Sequence, residues 1–173
     1  MSGNKPLGFF GCNYDYVLIT DIMETWGDNL QNISDCDCYY LIHVASEYIN
    51  FHYLTEDPTN VVDELTTRII ARELPASQVQ ALISAIVNKS STKPLGYWGV
   101  DYQIPLIKDI YETYGDFLQT LTDDESYETL NALGWVLYCD NPSNSSEDAD
   151  EVAGRLEELP LAQLQALIQA LGD

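Results

Sequence analysis

Apolar residues recur along most of the chain at steps of three and four, the spacing that puts side chains on one face of an α-helix. In the segment 14–26 these positions are Tyr16, Ile19, Met23 and Trp26, and Gly27 follows as a helix stop. The segment 105–114 has the same pattern, with Pro105 near its start and Gly115 after its end. Both segments are predicted to be helices.

Capping residues predict a second helix in each half of the chain. Ser34 and Thr122 are each followed three residues later by an acid, the spacing of a capping box. The helices then run through residues 39–53 and 127–138. The aromatic run at 39–54 also suits a β-strand, but its apolar residues do not alternate, so the pattern favours a helix.

Proline and serine mark the starts of the last two helices in each half. A third helix is predicted beyond Pro58, and its counterpart spans residues 147–159 after a serine cap. A fourth follows Pro75 and Pro160, each with an apolar stripe at helical spacing. Each half of the chain is therefore predicted to contain four helices.

The two halves are related by an internal repeat. Residues 5–35 align without gaps to residues 93–123, with more than half of the positions identical, and LPASQVQALISAI aligns to LPLAQLQALIQAL near the ends. Two collinear matches of this length indicate a duplication. We therefore predict an all-α fold in which two tandem four-helix units, residues 5–89 and 93–173, pack into one compact helical body across faces that neither buries alone.

The charge of the chain narrows the range of partners. It has 28 acidic and 7 basic residues, a net charge of −21 and a pI near 4.1, yet 46% of its residues are hydrophobic, so the charge lies on a folded body. Direct binding to nucleic acid or to an anionic membrane is disfavoured by repulsion. Basic proteins or cations are the expected partners, although acidity also serves solubility alone.

The negative charge is concentrated in the second half. Twelve acids and no Lys or Arg lie between Lys108 and Arg155, so we expect an electrostatic partner to contact the second unit. Three acids recur in both copies at spacings of three and four, which predicts one helical face. This face is either a solvated polar surface or a partner-binding surface, and its residues are Asp21, Glu24 and Asp28 with Asp109, Glu112 and Asp116.

A repeated turn contributes a second candidate surface. KPLGFFG occurs at residues 5–11 and KPLGYWG at residues 93–99, each with two glycines around paired aromatic residues. The rings either fill the base of each helical unit or serve as exposed anchors for a partner. Tyr97 and Trp98 are the candidate anchors of the more acidic second unit.

The segment 140–151 can be aligned with a twelve-residue calcium loop. Asp140, Asn144, Asp148 and Glu151 then occupy positions that supply ligands, but Pro142 replaces one ligand and the glycine of the sharp turn is missing. The match is weak. Calcium is the one cofactor that the sequence suggests, and a loop that caps the next helix is the alternative.

The sequence lacks the groupings expected of a catalytic site. His43 and His52 are the two histidines, and they complete neither a nucleophile–base–orienter set nor a zinc set with the cysteines. No segment is apolar enough to span a membrane, and residues 1–6 contain no signal region. We expect a cytoplasmic protein with four free thiols, no enzymatic activity and no cofactor.

These observations favour a non-enzymatic, acidic, helical interaction protein that binds a basic protein partner, as a regulator, inhibitor or adaptor. The alternative is a divalent-cation-binding protein that uses the acidic clusters of the second unit for calcium.

Overall fold

The computed structural model describes residues 4–173, and in this range all regular secondary structure is helical, without a β-strand. This confirms the predicted all-α class and excludes the strand considered for residues 39–54. Eight α-helices follow one another in this range: α1 Val17–Trp26, α2 Asp35–Tyr53, α3 Asn60–Ile70, α4 Ala76–Val87, α5 Pro105–Tyr114, α6 Asp123–Asp140, α7 Glu147–Ala153 and α8 Leu161–Gly172. Short 3₁₀ helices cover Leu7–Phe10, Leu95–Trp98 and Leu156–Glu158.

The predicted caps are present. The Ser34 side chain accepts a hydrogen bond from the Asp37 N–H, and Thr122 forms a complete capping box with Glu125 at the start of α6. Pro105 occupies the first turn of α5. Each of these features satisfies or avoids an N–H group that has no partner within the helix.

Two predicted helix boundaries were wrong. The helix α1 begins at Val17 instead of residue 14, because residues 13–16 form a turn in which the Tyr16 N–H binds the Asn13 carbonyl. The predicted helix 147–159 breaks after Ala153, where Gly154 weakens the helix and Arg155 leaves the helical conformation. A 3₁₀ helix continues from Leu156.

The helices α2 and α6 form an antiparallel pair at the centre of the molecule. Tyr40 stacks near Tyr138, His43 lies beside Asn131, and the Asn50 amide donates to the Tyr127 carbonyl. The two backbones approach closely at Gly134, where an added Cβ atom would lie 2.8 Å from the backbone nitrogen of His43. This pair is the most extensive helix–helix contact of the fold.

Four further helices each pack on the central helix of the other half of the chain, an arrangement that we call crosswise packing. The helices α3 and α4 of the first half pack on α6, whereas α7 and α8 of the second half pack on α2. The helix α8 also contacts the 3₁₀ helix Leu7–Phe10, and α4 contacts Leu95–Trp98. Buried residues from both halves therefore belong to one hydrophobic cluster.

Two glutamines fasten this crosswise packing. The Gln163 side chain donates to the Gly11 carbonyl over 3.1 Å and accepts from the Asn13 N–H over 2.7 Å. The Gln78 side chain makes the same two bonds, to Gly99 and Asp101, at 3.1 and 2.7 Å. Each half thus holds the N-terminal turn of the other.

None of the helices within residues 4–173 is long and apolar enough to cross a membrane. Residues 1–3, which belong to the N-terminal segment expected to contain no signal region, lie outside the described residues.

Candidate functional site

The structure separates the six predicted partner-binding acids into helix and loop positions. Asp21 and Glu24 lie on α1, as Asp109 and Glu112 lie on α5. Gly27 and Gly115 end these helices with φ angles of 88° and 86°, so the acids that follow them leave the helical face. Contrary to the expectation of one face, Asp28 and Asp116 therefore lie outside the helices.

Asp28 and Asp116 hold the two repeated turns, residues 5–11 and 93–99, in place through a tyrosine hydroxyl each. The Tyr14 hydroxyl donates to the Asp28 carboxylate and accepts from the Gly8 N–H over 2.8 Å. Burial and the bond to Asp28 raise the pKa of Tyr14.

The second copy repeats this arrangement. Tyr102 donates to Asp116 and accepts from the Gly96 N–H over 2.7 Å, and its pKa is raised by burial and by the bond to Asp116. Both loop acids thus have a structural role within the chain.

Asp21 and Asp109 form ion pairs between the two halves. Asp21 lies 2.8 Å from Arg155, and Asp109 lies 2.6 Å from Arg68. Each arginine also binds a second acid at 2.8 Å, Glu158 for Arg155 and Glu73 for Arg68. Of the other two predicted acids, Glu112 lies 3.8 Å from Lys108, and Glu24 is exposed to solvent.

Most of the cations of the chain are engaged in such pairs. Six of the seven Lys and Arg residues make ion pairs within the molecule, and the seventh, Lys93, lies 4.8 Å from the centre of the Tyr97 ring. Seven cations cannot neutralise 28 acids, so the folded surface remains strongly negative.

The repeated aromatic turns present one ring each to solvent. Phe9 and Tyr97 are 65% and 61% exposed, whereas the neighbouring Phe10 and Trp98 are half-buried against the hydrophobic core. Phe10 and Trp98 therefore match the alternative in which the rings pack inside, and Phe9 and Tyr97 match the alternative in which the rings are exposed.

The four residues predicted as calcium ligands lie in different surroundings. Asp140 lies 3.0 Å from Arg72 and Glu151 lies 3.3 Å from Arg155, whereas Asn144 and Asp148 are exposed. Within residues 4–173 no group of three or more His, Cys, Asp or Glu side chains is placed to hold a metal ion. The calcium alternative stays a prediction, and no contact in the described chain favours it.

The cysteine side chains form no disulfide. Cys12, Cys36 and Cys38 are buried, and Cys139 is exposed. Burial raises the pKa of the Cys12 and Cys38 thiols to about 12, so both remain protonated at neutral pH. A protonated, buried thiol is a poor nucleophile.

The sequence did not reveal a groove between α2, α3 and α6. The groove has a volume of about 390 Å³. Trp135 of α6 and Ile70 of α3 line it and are 41% and 48% exposed. The centres of the His43 and Trp135 rings lie 5.0 Å apart. Large apolar side chains exposed together around a groove are typical of interaction sites.

Two carboxylates share this groove with the aromatic rings. Glu47 and Glu128 line it, and the half-buried Glu128 carboxylate makes no hydrogen bond or ion pair to any described residue. Burial, followed by repulsion from Asp63 and Asp124, raises the pKa of Glu128. The groove therefore combines apolar surface with negative charge that has no counter-ion of its own.

No model of a known protein family matches the chain, and neither a curated protein nor a solved structure matches it.

Proposed function

We propose that this protein is a non-enzymatic interaction protein, acting as a regulator, inhibitor or adaptor, that binds a basic protein through its acidic helical surface. The observation that carries the proposal is the net charge of −21 on a fold whose cations are almost all engaged internally. Such a surface attracts a basic protein over several ångströms and accelerates its encounter with the right face.

The proposal includes the arrangement of the chain as two tandem four-helix units, residues 5–89 and 93–173, within one helical body. Two sets of matched hydrogen bonds support it, those between tyrosine and aspartate at the two repeated turns and those of Gln78 and Gln163. A cytoplasmic setting is part of the same proposal, because three of the four thiols are buried without a disulfide partner.

The acids on α1 and α5 provide a matched pair of binding variants. Asp109→Asn with Glu112→Gln removes two charges from the second copy, and Asp21→Asn with Glu24→Gln removes two charges from the first. Each double variant breaks one arginine ion pair of similar length, so their structural costs are comparable. Asp28 and Asp116 stay unchanged because they hold the turns.

The test uses a fluorescent nine-lysine peptide as a basic probe and measures its binding by anisotropy. We expect binding near 0.02 M salt that weakens several-fold near about 0.3 M, as the Debye length falls below roughly 10 Å. The variant of the second copy should lose more affinity than that of the first, because residues 109–151 carry twelve acids without a Lys or Arg. No binding at low salt, or equal binding at every salt concentration, would show that the acidity only serves solubility.

A further inference from the structure

The groove between α2, α3 and α6 exposes the kind of side chain on which protein interfaces depend. Trp135 projects from the middle of α6, a position where neighbouring residues are buried, yet 41% of it is exposed. Ile70, across the groove on α3, is 48% exposed. Tryptophan is among the residues that contribute most to binding energy, and it does so when the partner covers it fully.

The charge of the groove selects a cation. Its lining includes Glu47 and Glu128 and contains neither Lys nor Arg. Glu128 also lines an adjoining cleft with Glu56, Asp57 and Asp124. Asp124 precedes Glu128 by one turn of α6, and like charges at this spacing repel. A bound cation would relieve this repulsion.

The shape of the groove favours an organic cation over a metal ion. Its volume of about 390 Å³ is far larger than one ion requires, and no three carboxylates in residues 4–173 converge as ligands. Trp135 offers an aromatic ring, and Glu128 offers a carboxylate without a hydrogen-bond or ion-pair partner among residues 4–173. A guanidinium group stacks on the first and binds the second through paired N–H groups, whereas an ammonium group is a hydrated point charge.

We propose that this groove binds an exposed arginine side chain of the basic partner, with the guanidinium stacked on Trp135 and paired with Glu128. The inference rests on the proposed function and names the site at which it operates. Glu47 supplies a second negative wall, and Ile70 contacts the aliphatic part of the arginine chain.

The experiment compares fluorescent nine-arginine and nine-lysine peptides of equal charge on the full chain. Wild-type protein should bind the arginine peptide several-fold more tightly. Trp135→Ala should remove most of this preference while lysine-peptide binding persists, and Glu128→Gln should weaken the arginine peptide more than the lysine peptide. Phe117→Ala is the matched control, because Phe117 is 43% exposed but lies outside the groove.

A second readout follows the ring directly. The indole N–H signal of Trp135 in a proton–nitrogen NMR spectrum, assigned with Trp135→Phe, should shift on addition of the arginine peptide, whereas that of the buried Trp26 should not. Circular dichroism confirms that each variant is folded.

The outcomes separate the inference from the proposed function. If the lysine peptide binds in a salt-dependent manner but Trp135→Ala keeps the full arginine preference, the groove is not the arginine site and the proposed function stands. If neither peptide binds at low salt, both are overturned. If the preference also disappears in Phe117→Ala, it does not arise from the groove and the inference fails.

Discussion

Replacing Gly134 by alanine tests whether α2 and α6 must touch along their backbones. The added methyl group would lie 2.8 Å from the His43 nitrogen, 3.1 Å from its Cα atom and 3.1 Å from the Tyr39 carbonyl oxygen. All three are backbone atoms of α2, so no side chain can rotate away. The helices must move apart by several tenths of an ångström, and the side chains packed between them must follow.

Two effects of opposite sign determine how much Gly134→Ala changes the free energy of unfolding. Overpacking a close-packed core costs about 1–3 kcal/mol, and a clash with backbone belongs in the upper part of that range. Alanine favours a helix interior over glycine by about 1 kcal/mol. Gly134→Ala should therefore lower the free energy of unfolding by about 1–2 kcal/mol, or the melting temperature by about 2–8 °C for a chain of this size.

Urea denaturation, monitored by circular dichroism, measures the difference in the free energy of unfolding between wild type and variant. Gly154→Ala is the control. Gly154 adopts a right-handed helical conformation, and its added Cβ atom would make only ordinary contacts, at 3.5 Å or more. That variant should gain about 0.4–1 kcal/mol. If Gly134→Ala matches or exceeds the stability of wild type, the close approach of α2 and α6 does not constrain the fold.

Three further predictions concern the cap of α7, the cysteine thiols and three tyrosine hydroxyls. Ser146→Ala removes the cap of α7 and the 2.9 Å bond to the buried Asp37, and should cost about 1–2 kcal/mol in urea denaturation; an unchanged midpoint would contradict this. A disulfide reagent should modify one thiol rapidly in the native protein, and Cys139→Ser should abolish this fast phase. Stability should fall between pH 10 and pH 12 by about 2 kcal/mol for each of Tyr39, Tyr114 and Tyr127, because the unfolded tyrosine loses its proton near pH 10, whereas burial raises the folded pKa to about 12. A urea midpoint that is equal at both ends of this range would refute this prediction.

Local chemistry made the helix ends predictable from the sequence. The capping box of Thr122 and Glu125 joins residues three apart, so both partners are visible in a short window. Gly27 and Gly115 end their helices because they adopt positive φ angles that other residues avoid. The break after Ala153 was missed because Val152, Leu156 and Leu159 keep the helical spacing across it, although Gly154 weakens the helix there.

The candidate groove could not be predicted for a related reason. Periodicity shows which face of a helix is apolar, but it does not show which other helix covers that face. Trp135 lies among apolar residues of α6 and suits the core as well as the surface. Its exposure of 41% follows from which helices pack on α6, and α3 and α4 come from the other half of the chain. That Glu128 has no hydrogen-bond or ion-pair partner in the described part of the chain is equally a property of the assembled helices.

The crosswise packing also determines when the chain can fold during its synthesis. The bond between Asn13 and Gln163 joins residues 150 positions apart. At roughly 5–20 residues per second, a ribosome needs about 8–30 s to synthesise that length of chain. Within this interval α2 is synthesised well before α6, and α8 is completed only after the interval ends, although both helices cover α2 in the native molecule. A second nascent chain on the same messenger carries the same helices, so it presents the same packing surfaces while α2 still lacks the α6 of its own chain.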